Sequence, residues 1–266
     1  MSEAPRILIV EDDPKWQAIL REILEDLGYR VSLASTYQQA RQALEEVSPF
    51  SLVILDLELD AATPLLEGQR LLNHIRHHHE NTRCIIVSGR GTIQVVRVAF
   101  KEFQIVDFIE KNRFDIPYFE EVVTTTLARG EREVTRAKTV ERLSQLYAEL
   151  RALDDVLNET RRQYDQGLLD VGRYTQLQKS YRTQYYTLVD RLQALITDPI
   201  LEGLDDVLER ARGGGESSEA LKAVLREQAA QRGWGSRIYE QIDQHQGEIA
   251  SLVVTIAIEL LRSAEV

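Results

Sequence analysis

The eight residues Leu52-Val53-Ile54-Leu55-Asp56-Leu57-Glu58-Leu59 constrain the fold of this chain more than any others. The run is apolar, β-branched near its start, and then interrupted by one acid and by a second two residues later. A short apolar stretch without alternation, bounded by turn residues, reads as a strand covered on both faces of a parallel sheet. Asp56 stands where that strand ends, and ligand sites in open α/β sheets gather at the carboxyl ends of strands. A lone acid there would be a solvated strand end. Asp56 is not alone.

The residues before and after it repeat the pattern. Arg6 to Val10 forms a short buried strand that runs into Glu11-Asp12-Asp13-Pro14. Asp13-Pro14 is a cap followed by proline at the first helical position, so a helix begins there. Ile19, Leu20, Ile23, Leu24 and Leu27 supply its inner face, and Gly28 ends it. A second strand covers 31–34, and a helix carrying Ala40, Ala43, Leu44 and Val47 stops before Pro49. After the Asp56 strand comes a helix around Leu71, Leu72 and Ile75. A fourth strand follows at 84–88, a helix at 95–103, a fifth strand at 105–109 ending on Glu110-Lys111, and a last helix near Ile116-Pro117. Strands alternating with helices predict an α/β fold with a doubly wound five-stranded parallel sheet.

From about Tyr118 the strand signals vanish. Leu146, Leu150, Leu153, Leu157, Thr160 and Tyr164 are spaced alternately by four and three, a coiled-coil-like seam. Gly130 is the weak point upstream, costing about 1 kcal/mol in a helix interior. Gly167 and Asp170 turn the chain into a helix striped by Tyr174, Leu177, Tyr181, Tyr185, Leu188, Leu192 and Leu195. Two such stripes suit an antiparallel hairpin or a dimer, and the 146–164 seam predicts a parallel homodimer. Asp198-Pro199 starts a shorter helix, and Gly213-Gly214-Gly215-Glu216-Ser217-Ser218 reads as a flexible linker. Beyond it the stretch 249–261, apolar almost all round, predicts the buried element of a small terminal bundle or of a dimer interface. The expected organisation is therefore a domain over 1–128, a helical hairpin or coiled-coil region over 129–212, and a small helical module over 213–266.

Charge narrows the function classes. The formal net charge is −11, and both halves share it: 13 Lys+Arg against 20 Asp+Glu in 1–128, and 19 against 23 beyond. Phosphate backbones need clustered cations, so nucleic acid is not an expected partner. The single cysteine, Cys84, excludes an internal disulfide framework and suits a reducing compartment; in its apolar setting it reads as a core residue. No apolar stretch reaches the ~20 residues of a membrane span, and the acidic start is not a signal peptide, so a cytoplasmic location is expected.

In a parallel sheet the strand ends are neighbours, so Glu11, Asp12, Asp56, Ser88 and Lys111 converge on one rim. Clustered carboxylates repel one another unless a cation joins them, and hard oxygen ligands with open positions suit Mg²⁺. A metal-bound carboxylate beside a lysine can attack phosphorus and become an aspartyl phosphate. The lysine and the metal would neutralise charge on the transferred group, and Ser88 would hydrogen-bond it.

This constellation resembles the receiver domain of two-component response regulators, over residues 5 to about 128. The resemblance implies Asp56 as phosphoacceptor and Ser88 and Lys111 as its catalytic partners. It implies direct metal ligation by Asp12, ligation through water by Glu11, and a ligating backbone carbonyl at Glu58. Phe108, three before the lysine, matches the aromatic switch position that turns inward, with Ser88, on phosphorylation. A sensor histidine kinase or phosphotransfer protein would be the donor, with self-phosphorylation and dephosphorylation the only catalysis. Three departures stand out: roughly four extra residues between Asp56 and Gly68, Asn112 where proline with a cis bond is common, and Phe108 in place of tyrosine. None removes a reacting group.

Other motifs are weaker. His77-His78-His79 would point in different directions on a helix and reads as a solvated helix end. Gly89-Arg90-Gly91 lacks the lysine and spacing of a phosphate-binding loop. Trp234 between two glycines reads as a hydrophobic plug, and the tyrosines of 164–186 as packing. For the helical half, a protein-interaction or dimerisation output toward a downstream protein is expected. The alternatives are an atypical DNA-binding regulator or an unrecognised enzymatic output. Residues 236–244 carry Arg237 alone against Glu240 and Asp243, and no catalytic motif follows residue 128.

Overall fold

The computed structural model describes residues 4–46, 49–59, 66–79, 81–89, 105–213, 217–245 and 248–264. The helix expected at 95–103, most of the loop after Asp60, Arg90-Gly91 and the middle of the Gly/Ser stretch lie outside the described residues. The described chain forms two compact units, 1–132 and 133–266.

In the first unit, five parallel strands lie in the order β2-β1-β3-β4-β5: Arg6–Val10 (β1), Arg30–Ala34 (β2), Leu52–Leu55 (β3), Arg83–Ser88 (β4) and Asp107–Glu110 (β5). The expected fold class is the observed one. Successive side chains of a strand point to opposite faces, and the two faces have separate cores. Leu8, Val10, Val53, Leu55, Cys84 and Ile86 pack with Ala40 and Leu44 of α2 (Tyr37–Glu46) and Leu71, Leu72 and Ile75 of α3 (Leu66–His78). Ile7, Ile9, Leu52, Ile54, Ile85 and Val87 pack with Leu20, Ile23 and Leu24 of α1 (Pro14–Asp26). The same face takes Phe119, Val123 and Leu127 from the first turns of α4 (Ile116–Asp165). β1, β3 and β4 are thus buried on both faces, which is why they are apolar without alternation. Ile19 and Leu27, expected on the inner face of α1, are exposed; Leu20, Ile23 and Leu24 suffice for that stripe.

Local signals hold the helices in place. Asp13 accepts a hydrogen bond from the Lys15 backbone N–H at 2.8 Å ahead of Pro14, and Gly28 takes the left-handed conformation after the helix (φ 84°), where a side chain would be strained. Gly68, in the first turn of α3, lies against the backbone of Leu57. A Cβ there would fall 2.8 Å from the Leu57 Cα and 2.9 Å from its carbonyl oxygen. Only glycine lets α3 come this close to the end of β3.

The second unit is helical. Beyond α4 come α5 (Val171–Gln193), α6 (Leu204–Gly213), α7 (Ser218–Arg232), α8 (Ser236–Gln244) and α9 (Ile249–Ser263). The end of α4 and α5 form an antiparallel hairpin. Arg191 donates to Glu149 (Nη2 to Oε1, 3.0 Å), Tyr181 donates to Asp154 at 3.0 Å, and the rings of Tyr164 and Tyr174 stack at 4.3 Å. Gly167 (φ 72°) and the Asp170 cap make the turn. One core runs through the unit: Leu143, Leu146 and Leu150, with Leu188 and Leu192, Leu204 and Leu208, Leu221 and Leu225, Trp234, and nine buried residues of α9.

That core corrects one expectation. Residues 129–212 and 213–266 are not separate modules, because α6 and α7 bury their apolar faces in the same cluster. The start of the 146–164 seam is filled from within the chain. Leu146 and Leu150 are already covered by their own chain, since an apolar stripe is satisfied by whichever helix reaches it first. Trp234 is the plug its sequence suggested, and no described helix is long and apolar enough to cross a membrane.

Candidate functional site

The register of the sheet sets the site. Ile9 pairs with Ile54 and Val10 with Leu55, so β1 and β3 deliver Glu11 and Asp56 to the same rim; Ser88 pairs with Glu110, placing Lys111 one residue beyond. The Asp56 N–H donates to the Val10 carbonyl (2.8 Å) and the Glu11 N–H to that of Ala34 (3.0 Å), so both acids leave their strands with their backbones still paired.

Asp56 is buried, with 4% of its surface exposed, and three donors meet its carboxylate. Ser88 Oγ donates to Oδ1 at 2.8 Å, the Glu58 backbone N–H to Oδ1 at 3.0 Å, and Lys111 Nζ to Oδ2 at 2.6 Å. Charge-assisted bonds of this length are strong. Lys111 also reaches Glu11, 2.8 Å from Oε1 and 2.7 Å from Oε2. Oε2 is enclosed and makes no hydrogen bond of proper geometry despite that distance.

Electrostatics follow from this enclosure. Burial pushes the Glu11 carboxyl up to about 7, with the Asp56 charge adding to it against the pull of the Lys111 hydrogen bond. Burial draws the Lys111 ammonium down, but its bonds to Asp56 and Glu11 outweigh that, and the net direction is up. Lysine therefore stays charged between two acids. Cys84, on β4 below Ser88, is buried and its thiol is pushed up to about 12 by desolvation.

Glu11, Asp12 and Asp56 bring one carboxylate oxygen each within 4.8 Å of one another, with Asp12 facing solvent. Hard oxygen ligands with one open side fit a small divalent cation. Glu58 contributes its N–H to the acceptor. Phe108, half-buried on β5, packs at the edge of the core shared with α2 and α3. All seven residues singled out from the sequence therefore lie on or beside this rim.

Two residues of the site were not legible beforehand. The ring of Trp16 lies under Lys111, with Nζ 5.3 Å from its centroid, and meets Phe114 edge-on. Gln17 donates from Nε2 to the Glu11 carbonyl (2.6 Å) and to Ser35 Oγ (2.9 Å), tying the acid loop to the end of β2. Both sit in the first turn of α1, and only the Asp13-Pro14 cap, by fixing where that helix starts, hints that they face the loop.

Residues 7–124 match the family described as response regulator receiver domain. The nitrogen assimilation regulatory protein NtrX of Azorhizobium caulinodans is 32% identical over 163 residues, 58% of this chain and 35% of that protein. A putative NtrX-like response regulator of Rickettsia bellii is 33% identical over 132 residues, 50% of this chain and 26% of that one. The match thus spans about a third or less of these relatives. Among solved structures, a CheY-like receiver domain protein from Methanospirillum hungatei aligns with TM-score 0.45 at 25% identity, covering 49% of this chain and 99% of that one. NtrX of Brucella abortus, in complex with ADP, aligns with TM-score 0.44 at 28% identity, covering 52% and 30%.

Proposed function

We propose that this chain, whose residues 7–124 are a response regulator receiver domain, accepts a phosphoryl group on Asp56 and signals through its helical unit to a protein partner. The observation that carries the reading is the convergence of Ser88, Lys111 and the Glu58 N–H on one buried carboxylate.

A carboxylate oxygen of Asp56 attacks the phosphorus of a phosphohistidine on a histidine kinase or phosphotransfer protein. The new O–P bond forms as the P–N bond breaks, and the leaving imidazole keeps the electron pair and takes a proton from solvent. Lys111 and Ser88 then exchange the carboxylate for the incoming phosphoryl oxygens without travelling far, since both already point at Asp56. Mg²⁺ held by Glu11, Asp12, Asp56 and the Glu58 carbonyl would neutralise charge on the transferred group. Ser88 moving toward the phosphoryl leaves space beside β5 that Phe108 fills, and this is the switch.

For the output, a protein-interaction role is favoured by the charge of the helical unit. Arg237 of α8 is paired with Glu259 at 3.3 Å, and Arg226 with Asp243 at 2.8 Å, so the candidate recognition helix offers phosphate no basic face. Self-association would use surface other than Leu146 and Leu150; the exposed Val156, Leu168 and Val171 near the hairpin turn supply one.

Treating the full chain with Mg²⁺ and acetyl phosphate should add one phosphoryl group by intact mass, and Asp56→Asn should add none. Unchanged labelling of that variant refutes the assignment.

A further inference from the structure

On the rim of the first unit away from Asp56, the last turn of α3 gathers three imidazoles. His74 and His78 are four apart and share a face; His79 follows the last residue of the helix, its N–H still bonded to the Ile75 carbonyl at 2.8 Å, and its ring also lies beside that of His74. The His74 ring lies 4.8 Å from that of His78, tilted by 42°, and 5.5 Å from that of His79, tilted by 57°. The consecutive His77, His78 and His79 do not converge on one another; it is His74, one turn back, that lies beside both His78 and His79.

We propose that this cluster is a site for a zinc-class divalent ion, with His74, His78 and His79 as ligands. The two ring separations from His74 are of the size a shared ion needs. Zinc–imidazole bonds of about 2.0–2.1 Å in tetrahedral geometry place two ligand-ring centroids about 5.2 Å apart, between the two observed separations. The rings are also short of partners: Nε2 of His74 and Nε2 of His79 are both enclosed and make no hydrogen bond. Enclosed polar atoms without partners are uncommon in folded proteins and ask for an explanation. Burial, then the neighbouring rings, hold His74 and His79 toward the neutral form that ligates metal. Glu45 of α2 is close enough for both rings to act on its charge, and so supplies compensating negative charge while bonded to Arg41 at 2.8 Å.

Imidazole ligands select a borderline ion over Mg²⁺, which the all-oxygen acid site prefers. Among the described residues, the acid trio is the set whose ligand atoms already lie within 4.8 Å. The histidines must therefore turn about their side-chain bonds to close on an ion, which the exposed His78 and the chain leaving at His79 allow.

The test is a titration of the full chain with zinc chloride in excess Mg²⁺, read by calorimetry, with cobalt(II) absorption reporting a nitrogen-rich tetrahedral site. One equivalent should bind, at least tenfold more weakly in His78→Gln and in His74→Gln, and undiminished in Asp12→Asn. His78 is exposed, so its replacement leaves the fold intact, and circular dichroism checks the His74 variant. Zinc binding that survives both histidine substitutions, or that disappears in Asp12→Asn alone, overturns the proposal.

Discussion

Gly68→Ala should destabilise the first unit, although the same exchange on an open helix surface usually stabilises. The new Cβ would sit 2.8 Å from the Leu57 Cα and 2.9 Å from its carbonyl oxygen, where carbon atoms prefer about 3.5–4.0 Å. Both contacts are backbone, so no side chain can swing aside, and the start of α3 or the end of β3 must move. Overpacking of this kind costs about 1–3 kcal/mol, against a gain of about 1 kcal/mol for alanine over glycine in a helix. The net loss, up to about 2 kcal/mol, should lower the melting temperature of this unit by up to about 8 °C. Trp16, half-buried in the first unit, reports that transition by fluorescence once Trp234 is replaced by Phe. Leu57 lies between Asp56 and the Glu58 N–H that bonds it, so phosphorylation from acetyl phosphate should slow as well. Gly130 is the control: a Cβ there meets only the Arg83 side chain, at 3.1 Å from Nε, so Gly130→Ala should leave the melt unchanged or raise it. A Gly68→Ala protein at least as stable as the parent would refute the reasoning.

Two further outcomes concern titration. Cys84, buried with its thiol pushed up to about 12, should resist alkylation at pH 8 in the folded protein and react only on unfolding; labelling by mass at increasing urea decides it. Glu11 has a folded value of about 7 against an ordinary 4.5, so the folded chain holds a proton that the unfolded chain releases. Its contribution to stability is full below about 4.5 and is lost as pH rises through about 7. In EDTA, the urea midpoint relative to Glu11→Gln should therefore fall between pH 5.5 and 8, and a relative rise would contradict the burial argument.

The sheet and its acid rim could be read from the chain because each rests on a local signal. Apolar runs without alternation require cover on both faces, and Glu11, Asp56, Ser88 and Lys111 stand where such runs stop. What escaped reading depended on which surfaces meet. The spacing of Leu146 and Leu150 states that something covers them, but a partner helix from the same chain and one from a second copy leave the same stripe. The Gly/Ser stretch reads as a break between modules, but such a break in sequence does not separate cores: Leu204, Leu208, Leu221 and Leu225 enter one cluster. Trp16 and Gln17 carry no motif, since their roles come from the angle at which α1 leaves β1. His74 was passed over because the tract of consecutive histidines drew the reading, while the ring that meets His78 and His79 stands one turn earlier.

The place of α9 in the helical core bears on how the chain emerges from the ribosome. The first unit has every strand it needs by Glu110 and its last packed helical residues by Leu127, so it can fold while the rest is still being made. The helical unit cannot follow in the same stepwise way. Ile249–Ser263 contributes nine residues to a cluster begun at Leu143, so the intervening helices wait with apolar faces uncovered until more than a hundred residues have been synthesised. Waiting surfaces of that kind are where nascent chains aggregate or recruit chaperones. A stall or nick before residue 249 would therefore leave a folded receiver trailing an adhesive, unclosed tail.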